Sequence, residues 1–186
     1  ETSKTLLKCN IDPLKFTNTI KEKAIEIWSS LRTYQYCLDI GISSWEGLWA
    51  NFIGENPNLK KLNALKDQYH INSWNNALME YNINDIELAK KLSKKFNTER
   101  RKRHILFPET INVLNKLKNK YKMALITNGS PDLQWEKING SNIRTYFYLI
   151  VISGEVNFAK PKKKIFDYAF NFFKNEKSEY IMIGNS

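Results

Sequence analysis

Cysteine is almost absent from this sequence of 186 residues, which contains only Cys9 and Cys37. Their spacing does not match a metal site, and isolated cysteines of this kind are usually buried thiols. A reducing environment suits such thiols, so we predict a cytoplasmic protein.

Long hydrophobic runs are absent too, since no apolar stretch approaches the roughly 18 residues that a membrane span requires, and no signal peptide is visible. We therefore expect no membrane partner.

Several common catalytic motifs are also missing. The sequence contains neither a Gly-x-Ser-x-Gly nucleophile motif nor a Walker-type phosphate loop. His70 and His104 lie far from each other and from any cysteine or carboxylate cluster, so neither indicates a metal site. No internal repeat or low-complexity linker is present.

Acidic residues are outnumbered by basic ones, and the formal net charge is +10. Basic clusters at 100–103 and 160–164 could supply salt-sensitive affinity for nucleic acid. The first cluster, however, lies at the predicted C-terminus of a helix, where cations are favoured by the helix dipole. No zinc spacing or RNA-binding signature accompanies either cluster, so we predict no nucleic-acid partner.

The most informative segment is an apolar run, 123–126, that stops abruptly at Thr127-Asn128-Gly129 and is followed by a predicted amphipathic helix. Such a pattern indicates a buried strand that ends at the rim of a sheet. Open α/β sheets bind ligands at the carboxyl ends of their strands, where the next helix offers free N–H groups to an anion. The Thr127 hydroxyl and the N–H groups near Asn128 and Gly129 could hold a phosphate oxygen, although such residues also form ordinary strand-ending turns.

Two further apolar runs follow the same plan. Residues 147–152 precede Ser153-Gly154-Glu155, and residues 180–183 precede Gly184-Asn185. Continuous apolarity indicates strands that are buried on both faces, as in a parallel sheet covered by helices. Residues 106–186 are therefore predicted to form a doubly wound α/β domain.

The upstream region, residues 1–105, shows helical periodicity without buried-strand runs. N-capping patterns predict helix starts at Asp12-Pro13, at Ser43–Glu46, at Asn56-Pro57 and at Asn84–Glu87. The second helix is expected to end near Gly54 and the last near Arg103. These features predict a bundle of about four helices.

The α/β region resembles the haloacid dehalogenase-like (HAD) hydrolases, which are mostly phosphatases with a Rossmann-like core and a mobile cap. Thr127 matches the Ser or Thr of the family's second motif, and Lys160-Pro161 matches the lysine of its third. Asn185 lies where many members carry an Asp of the fourth motif. The resemblance implies that Thr127 and Lys160 are catalytic, that both bind phosphate together with Asn128 and Gly129, and that Asn185 contributes to a metal site.

One expected motif is missing. The family's nucleophile belongs to an Asp-x-Asp-x-Thr motif after an N-terminal strand, and Glu1–Cys9 is too polar to be that strand. In the family this strand lies between those predicted at 121–127 and 180–184, and without it each would expose an apolar edge. We expect that the sequence begins after this motif and that the nucleophile and the acid–base Asp lie upstream of Glu1. Because Asn185 offers only a neutral oxygen, magnesium would depend on acids outside the sequence.

The resemblance implies a Mg²⁺-dependent phosphatase that acts on a small phosphate ester through an aspartyl-phosphate intermediate. It also implies a helical cap, residues 1–105, over a partial α/β core, residues 106–186. A metal-free haloacid dehalogenase and a non-catalytic member acting through its cap are the alternatives. Aromatic residues of the cap could line the substrate pocket, although packing is their commoner role; these are Tyr34, Tyr36, Trp45 and Trp49. The oligomeric state is left open.

Overall fold

The computed structural model describes Leu6, residues 11–173 and residues 180–184. The first part of the chain is helical, with α1 (Pro13–Ser29), α2 (Tyr34–Ile40), α3 (Ser44–Gly47), α4 (Pro57–Met79) and α5 (Ile86–Arg101). The second part alternates helices and strands, with α6 (Thr110–Leu117), β1 (Ala124–Thr127), α7 (Pro131–Gly140), β2 (Leu149–Ile152), α8 (Ser153–Val156) and α9 (Lys163–Phe173). A short 3₁₀ turn, Arg144–Tyr146, precedes β2.

The helix starts predicted for the three long helices of the first part are confirmed. The Asp12 carboxylate accepts hydrogen bonds from the first backbone N–H groups of α1. Asn56 caps α4 in the same way, and Asp85 caps α5. Each side chain satisfies N–H groups that have no partner inside their own helix, which is why these residues define the helix starts.

The prediction for the segment after Ser43 was wrong in length. Ser43 does cap α3 by accepting from the Glu46 N–H at 3.2 Å, but α3 ends at Gly47 and not near Gly54. Leu48, Trp49 and Ala50 follow, and all three are buried. Three consecutive buried side chains do not fit one face of a surface helix, so the chain leaves the helix to bury them.

The helical part encloses the larger hydrophobic core. Helix α4 packs against both α1 and α5, and α1 also contacts α3. The Trp28 ring lies 5.0 Å from the ring of Tyr69 and 5.9 Å from that of Phe52, centroid to centroid. Four aromatic residues were considered as lining for a substrate pocket, with packing as their commoner role. The structure shows packing: Trp49 is 2% exposed within this core, and Tyr34, Tyr36 and Trp45 lie at its edge.

Two titratable side chains are part of this core. The Cys37 thiol is buried and free, as its isolation in the sequence predicted, and burial raises its pKa to about 12. His70 is buried, and its Nε2 lies 2.7 Å from the Gly47 carbonyl oxygen, to which it must donate. Burial lowers the pKa of His70 against the opposing effect of this hydrogen bond, so the ring is a neutral packing group.

The two strands pair in parallel, with Ala124 opposite Leu149 and Thr127 opposite Ile152. Both strands therefore end at the same edge of the sheet. Helix α9 packs on β2, and together they form a small second core around Val151, Ile165 and Ala169. This pairing confirms the parallel arrangement predicted from the first two apolar runs, but the predicted burial on both faces is not seen for β1, whose four residues are all only partly buried.

The third predicted strand is not formed in the structure. Residues 180–184 have no strand conformation, and Ile181 and Ile183 are 86% and 82% exposed. An isolated strand leaves its N–H and C=O groups unpaired, so a strand forms only beside a neighbour. The neighbour that the family resemblance predicts for this segment is the strand of the first motif. Asn185 lies outside the described residues.

No described helix combines the length and apolarity needed to cross a lipid bilayer.

Candidate functional site

The turn after β1 is held against the end of β2. Gly129 adopts a φ of +137°, a conformation that glycine alone adopts readily. Its N–H donates to the Ser153 hydroxyl at 2.9 Å, and Ser153 is the first residue after β2. This N–H was predicted to bind phosphate, and in the structure it holds the two strand ends together. Ser153 is a rim residue that the sequence reasoning did not select, although its position after an apolar run was a signal.

Lys160 is fixed to the same turn by its backbone. The Asn128 side chain donates to the Lys160 carbonyl at 3.0 Å and accepts from the Lys160 N–H at 2.9 Å. This pair of hydrogen bonds uses both polar atoms of the amide, which is why Asn suits the position after Thr127. The backbone of Lys160 is thereby brought beside the turn although the two residues are 32 positions apart.

Thr127 lies at the start of a chain of side-chain hydrogen bonds. Its hydroxyl donates to Gln134 Oε1 at 3.0 Å, and Gln134 Nε2 donates to Glu46 Oε1 at 2.9 Å. Lys137 donates to the same carboxylate oxygen at 2.5 Å. Gln134 is only 5% exposed and was not predicted to belong to the site. Gln134 belongs to no sequence motif. As a polar residue on the buried face of the helix after Thr127-Asn128-Gly129, it could nevertheless have been suspected as a site residue.

The helical part covers this edge of the sheet. Gly41, at the end of α2, approaches the Asn128 side chain so closely that a Cβ on Gly41 would lie 2.8 Å from Asn128 Nδ2. The Ser153 hydroxyl donates to the Ile40 carbonyl, and Lys162 forms an ion pair with Asp39 at 2.6 Å. The end of α2 therefore lies directly over the predicted site.

Helix α7 provides a second contact between the two parts. The Asp132 carboxylate accepts from the Asn51 N–H at 2.9 Å, and Glu136 forms an ion pair with Arg101. Leu133 of the same helix is fully buried in the helical core. Contacts of α7 thus connect the turn at 127–129 with the helical part.

The described residues do not supply a magnesium site. Among them, no three His, Cys, Asp or Glu side chains lie close enough together to hold a metal ion. Asn185, the predicted ligand, is not among the described residues. A surface depression of about 280 Å³ between α4 and α5 contains none of the predicted site residues and is lined by Asp67, His70, Ile71, Lys90, Ser93, Lys94, Asn97 and Thr98.

Comparison with known proteins adds an independent result. The sequence profile of the haloacid dehalogenase-like hydrolases matches residues 38–186. Phosphoserine phosphatase from Thermus thermophilus is 33% identical over 172 residues, which cover 92% of this chain and 68% of that protein. The pyrimidine 5'-nucleotidase YjjG from Escherichia coli is 41% identical over 80 residues, 42% of this chain and 36% of that protein.

Solved structures are also similar to this chain. HAD-hydrolase YfnB from Bacillus subtilis, in a form bound to magnesium, aligns with 88% of this chain and 69% of its own. The TM-score is 0.46 and the sequence identity is 20%.

Proposed function

Because the chain belongs to the haloacid dehalogenase-like hydrolase family, we propose that it acts as a phosphatase on a small phosphate ester through an aspartyl-phosphate intermediate. Relatives named as phosphoserine phosphatase and pyrimidine 5'-nucleotidase support this reaction class. We also propose the division predicted from the sequence, with residues 1–105 as a helical cap over the core formed by residues 106–186. The two separate hydrophobic cores support this division, although Leu133 of the second part contributes to the first core.

The observation that carries the proposal is the pair of hydrogen bonds between Asn128 and the Lys160 backbone. Phosphoryl transfer depends on neutralising charge on the equatorial oxygens and on fixing the geometry, more than on an unusually reactive group. In the proposed reaction, the Lys160 ammonium balances negative charge on the phosphoryl group and on the carboxylate nucleophile. The Thr127 hydroxyl donates to one phosphate oxygen. A carboxylate nucleophile divides one hydrolysis into two easier steps.

The named relatives and the helical part support the proposed substrate class. A small phosphate ester is the shared chemistry of the relatives named above. Phosphoserine is the first candidate, because that relative matches most of this chain, including the helices that lie over the site. A helical cap excludes water and contacts the leaving group, so it would select among esters.

We propose Mg²⁺ as the cofactor on the family resemblance, although the described residues do not form its ligand set. When bound, the ion would neutralise charge on the phosphate, and no role of Thr127 or Lys160 depends on it here. Treatment with EDTA should abolish hydrolysis and added Mg²⁺ should restore it. Ester hydrolysis that persists in EDTA would contradict the Mg²⁺ proposal, whereas release of halide from a haloacid in EDTA without ester hydrolysis would favour the metal-free dehalogenase alternative. The cytoplasmic location stays a prediction.

The experiment that tests the function is hydrolysis of an aryl phosphate by the intact protein with Mg²⁺, followed by a phosphate-ester screen. Lys160→Ala should lower kcat by about 10²–10³-fold, as expected for the loss of a preorganised charge at the reacting group. Lys163→Ala is the matched control, because Lys163 is a neighbouring lysine whose side chain is 76% exposed and paired with Asp167. If Lys160→Ala and the wild type were equally active, Lys160 would not be a catalytic residue. An inactive wild type would favour the non-catalytic alternative.

A further inference from the structure

The direction of the Thr127 hydroxyl proton can be read from the hydrogen bonds that connect it to the helical part. The Glu46 carboxylate can only accept hydrogen bonds. The NH₂ group of Gln134 must therefore face Glu46, which places the Gln134 carbonyl oxygen toward Thr127. Because that oxygen can also only accept, the Thr127 hydroxyl must donate its single proton to Gln134.

This arrangement conflicts with the role that Thr127 has in the proposed function. A phosphate oxyanion needs a hydrogen-bond donor, and a hydroxyl whose proton is already directed to Gln134 offers it only lone pairs. A longer contact to the Asn128 carbonyl, at 3.5 Å, competes weakly for the same proton. Phosphate can receive the Thr127 proton only if the hydroxyl rotates away from Gln134.

We propose that Glu46 and Gln134 are positioning residues that hold the Thr127 hydroxyl away from phosphate while the helical part contacts α7. This inference rests on the proposed function. Glu46 belongs to α3 in the helical part, and Gln134 belongs to α7 beside the sheet. The phosphate affinity of the core thus depends on a carboxylate supplied by the region over it.

The packing around Gln134 supports a fixed amide. The residue is 5% exposed, and a Cβ at Gly129 would lie 2.4 Å from Gln134 Nε2. The amide therefore lies against the turn that carries the predicted phosphate contacts. Lys137 donates to the same oxygen of Glu46 and stabilises the carboxylate in this position.

Glu46→Leu tests the inference, because it removes the acceptor that fixes the direction of the Gln134 amide. Glu46→Gln would not, since Lys137 and Gln134 both donate to one oxygen of Glu46 and an amide oxygen in that place could still accept from both. In Glu46→Leu, Gln134 can turn its NH₂ toward Thr127, and the hydroxyl can accept from Gln134 and donate to phosphate. We expect inorganic phosphate to inhibit ester hydrolysis by this variant roughly 2- to 12-fold more tightly, the equivalent of one net hydrogen bond.

Two further variants distinguish the hydroxyl from a simple loss of negative charge. Gln134→Leu removes the connection, so Glu46→Leu should have no additional effect on phosphate inhibition in a Gln134→Leu background. Glu136→Leu is the matched control: it removes another carboxylate of the same interface, paired with Arg101 and not connected to Thr127, and should leave phosphate inhibition unchanged. Stability should be measured for every variant, because a purely structural role predicts weaker folding without tighter phosphate binding.

The outcomes separate the two proposals. An active wild type with unchanged or weaker phosphate inhibition in Glu46→Leu overturns this inference and leaves the phosphatase function in place. If adding Glu46→Leu to Gln134→Leu still tightens the inhibition, the inference is also overturned, because loss of the Glu46 charge alone then explains the effect. A wild type without hydrolytic activity on phosphate esters overturns the proposed function, and this inference with it.

Discussion

The two parts of the molecule divide stability and chemistry between them. The helical part buries a continuous core, with ring contacts such as Trp28 to Tyr69 and Phe16 to Trp74. The α/β part has a small core, but it carries every described residue that was selected for catalysis. Side chains at strand ends are held by polar contacts to backbone and to the helical part, so they can serve a ligand without being required for the core. The comparison shows that in this chain the region over the site is also the better packed one.

The largest expected change in stability comes from a substitution in the helical core, and it tests the contrast between the two parts. Trp28 is 3% exposed and contacts the rings of Phe52 and Tyr69. Trp28→Ala should lower the free energy of unfolding by about 3–5 kcal/mol, because it removes a large buried side chain and leaves a cavity. Urea unfolding followed by circular dichroism measures the change.

Two variants control this measurement. Leu14 lies on the same helix and is 79% exposed, so Leu14→Ala should change the stability by no more than about 0.5 kcal/mol. Ile165→Ala in the second core should cost about 2 kcal/mol, at the low end for a buried aliphatic side chain, because few buried neighbours surround it. A loss from Ile165→Ala as large as that from Trp28→Ala would contradict the contrast between the two cores.

A smaller effect is expected where the two parts meet. Gly41 has a φ of +69°, and a Cβ there would collide with the Asn128 side chain. Gly41→Ala should cost about 1–3 kcal/mol of stability, from the strained backbone and the displaced Asn128. The hydrogen exchange of the Lys160 amide should also accelerate, since its acceptor is Asn128 Oδ1.

Asn82 provides the control for Gly41. It has a φ of +57° just beyond α4, without a contact to Asn128 among its described hydrogen bonds. Asn82→Ala should introduce backbone strain of similar origin without changing exchange at Lys160. Equal acceleration of Lys160 exchange in both variants would show that the effect of Gly41 is a general loss of stability.

The smallest expected effect concerns the first helix cap. Asp12→Ala removes the acceptor of the Leu14 and Lys15 N–H groups and should cost about 1 kcal/mol. Asp12→Asn should retain most of that stability, because Asn is an equally good N-cap. Thermal unfolding measures both variants, and ester hydrolysis at a temperature below the transition should be the same in each. A loss of turnover in Asp12→Ala without unfolding would indicate that the helical part influences the chemistry more directly.

The parts of the fold that were predicted from sequence are those with local causes. The helix starts at Asp12, at Asn56 and within Asn84–Glu87 were identified because a side chain two or three residues from an unpaired N–H can satisfy it in any tertiary context. The first two apolar runs were identified as parallel strands because their patterns indicate burial on both faces. Each of these features is determined by residues close together in the chain.

The predictions that failed depend on distant partners. The run at 180–183 is as apolar as that of β1, but a strand forms only beside a neighbour, and no strand of the described residues pairs with this run. Gly54 was expected to end a helix, but the helix ends earlier because Leu48, Trp49 and Ala50 are buried among residues far away in the chain. In both cases the local pattern was compatible with more than one structure.

The sequence by itself determined the helix starts, the two strand ends and the place of Thr127 at the end of an apolar run, because propensity and periodicity act over a few residues. Only the tertiary structure decided that Asn128 holds the Lys160 backbone and that Glu46 reaches Thr127 through Gln134. These contacts join residues up to 88 positions apart. Hydrogen bonds depend on distance and direction in space, and no short-range pattern in a sequence specifies either for residues so far apart.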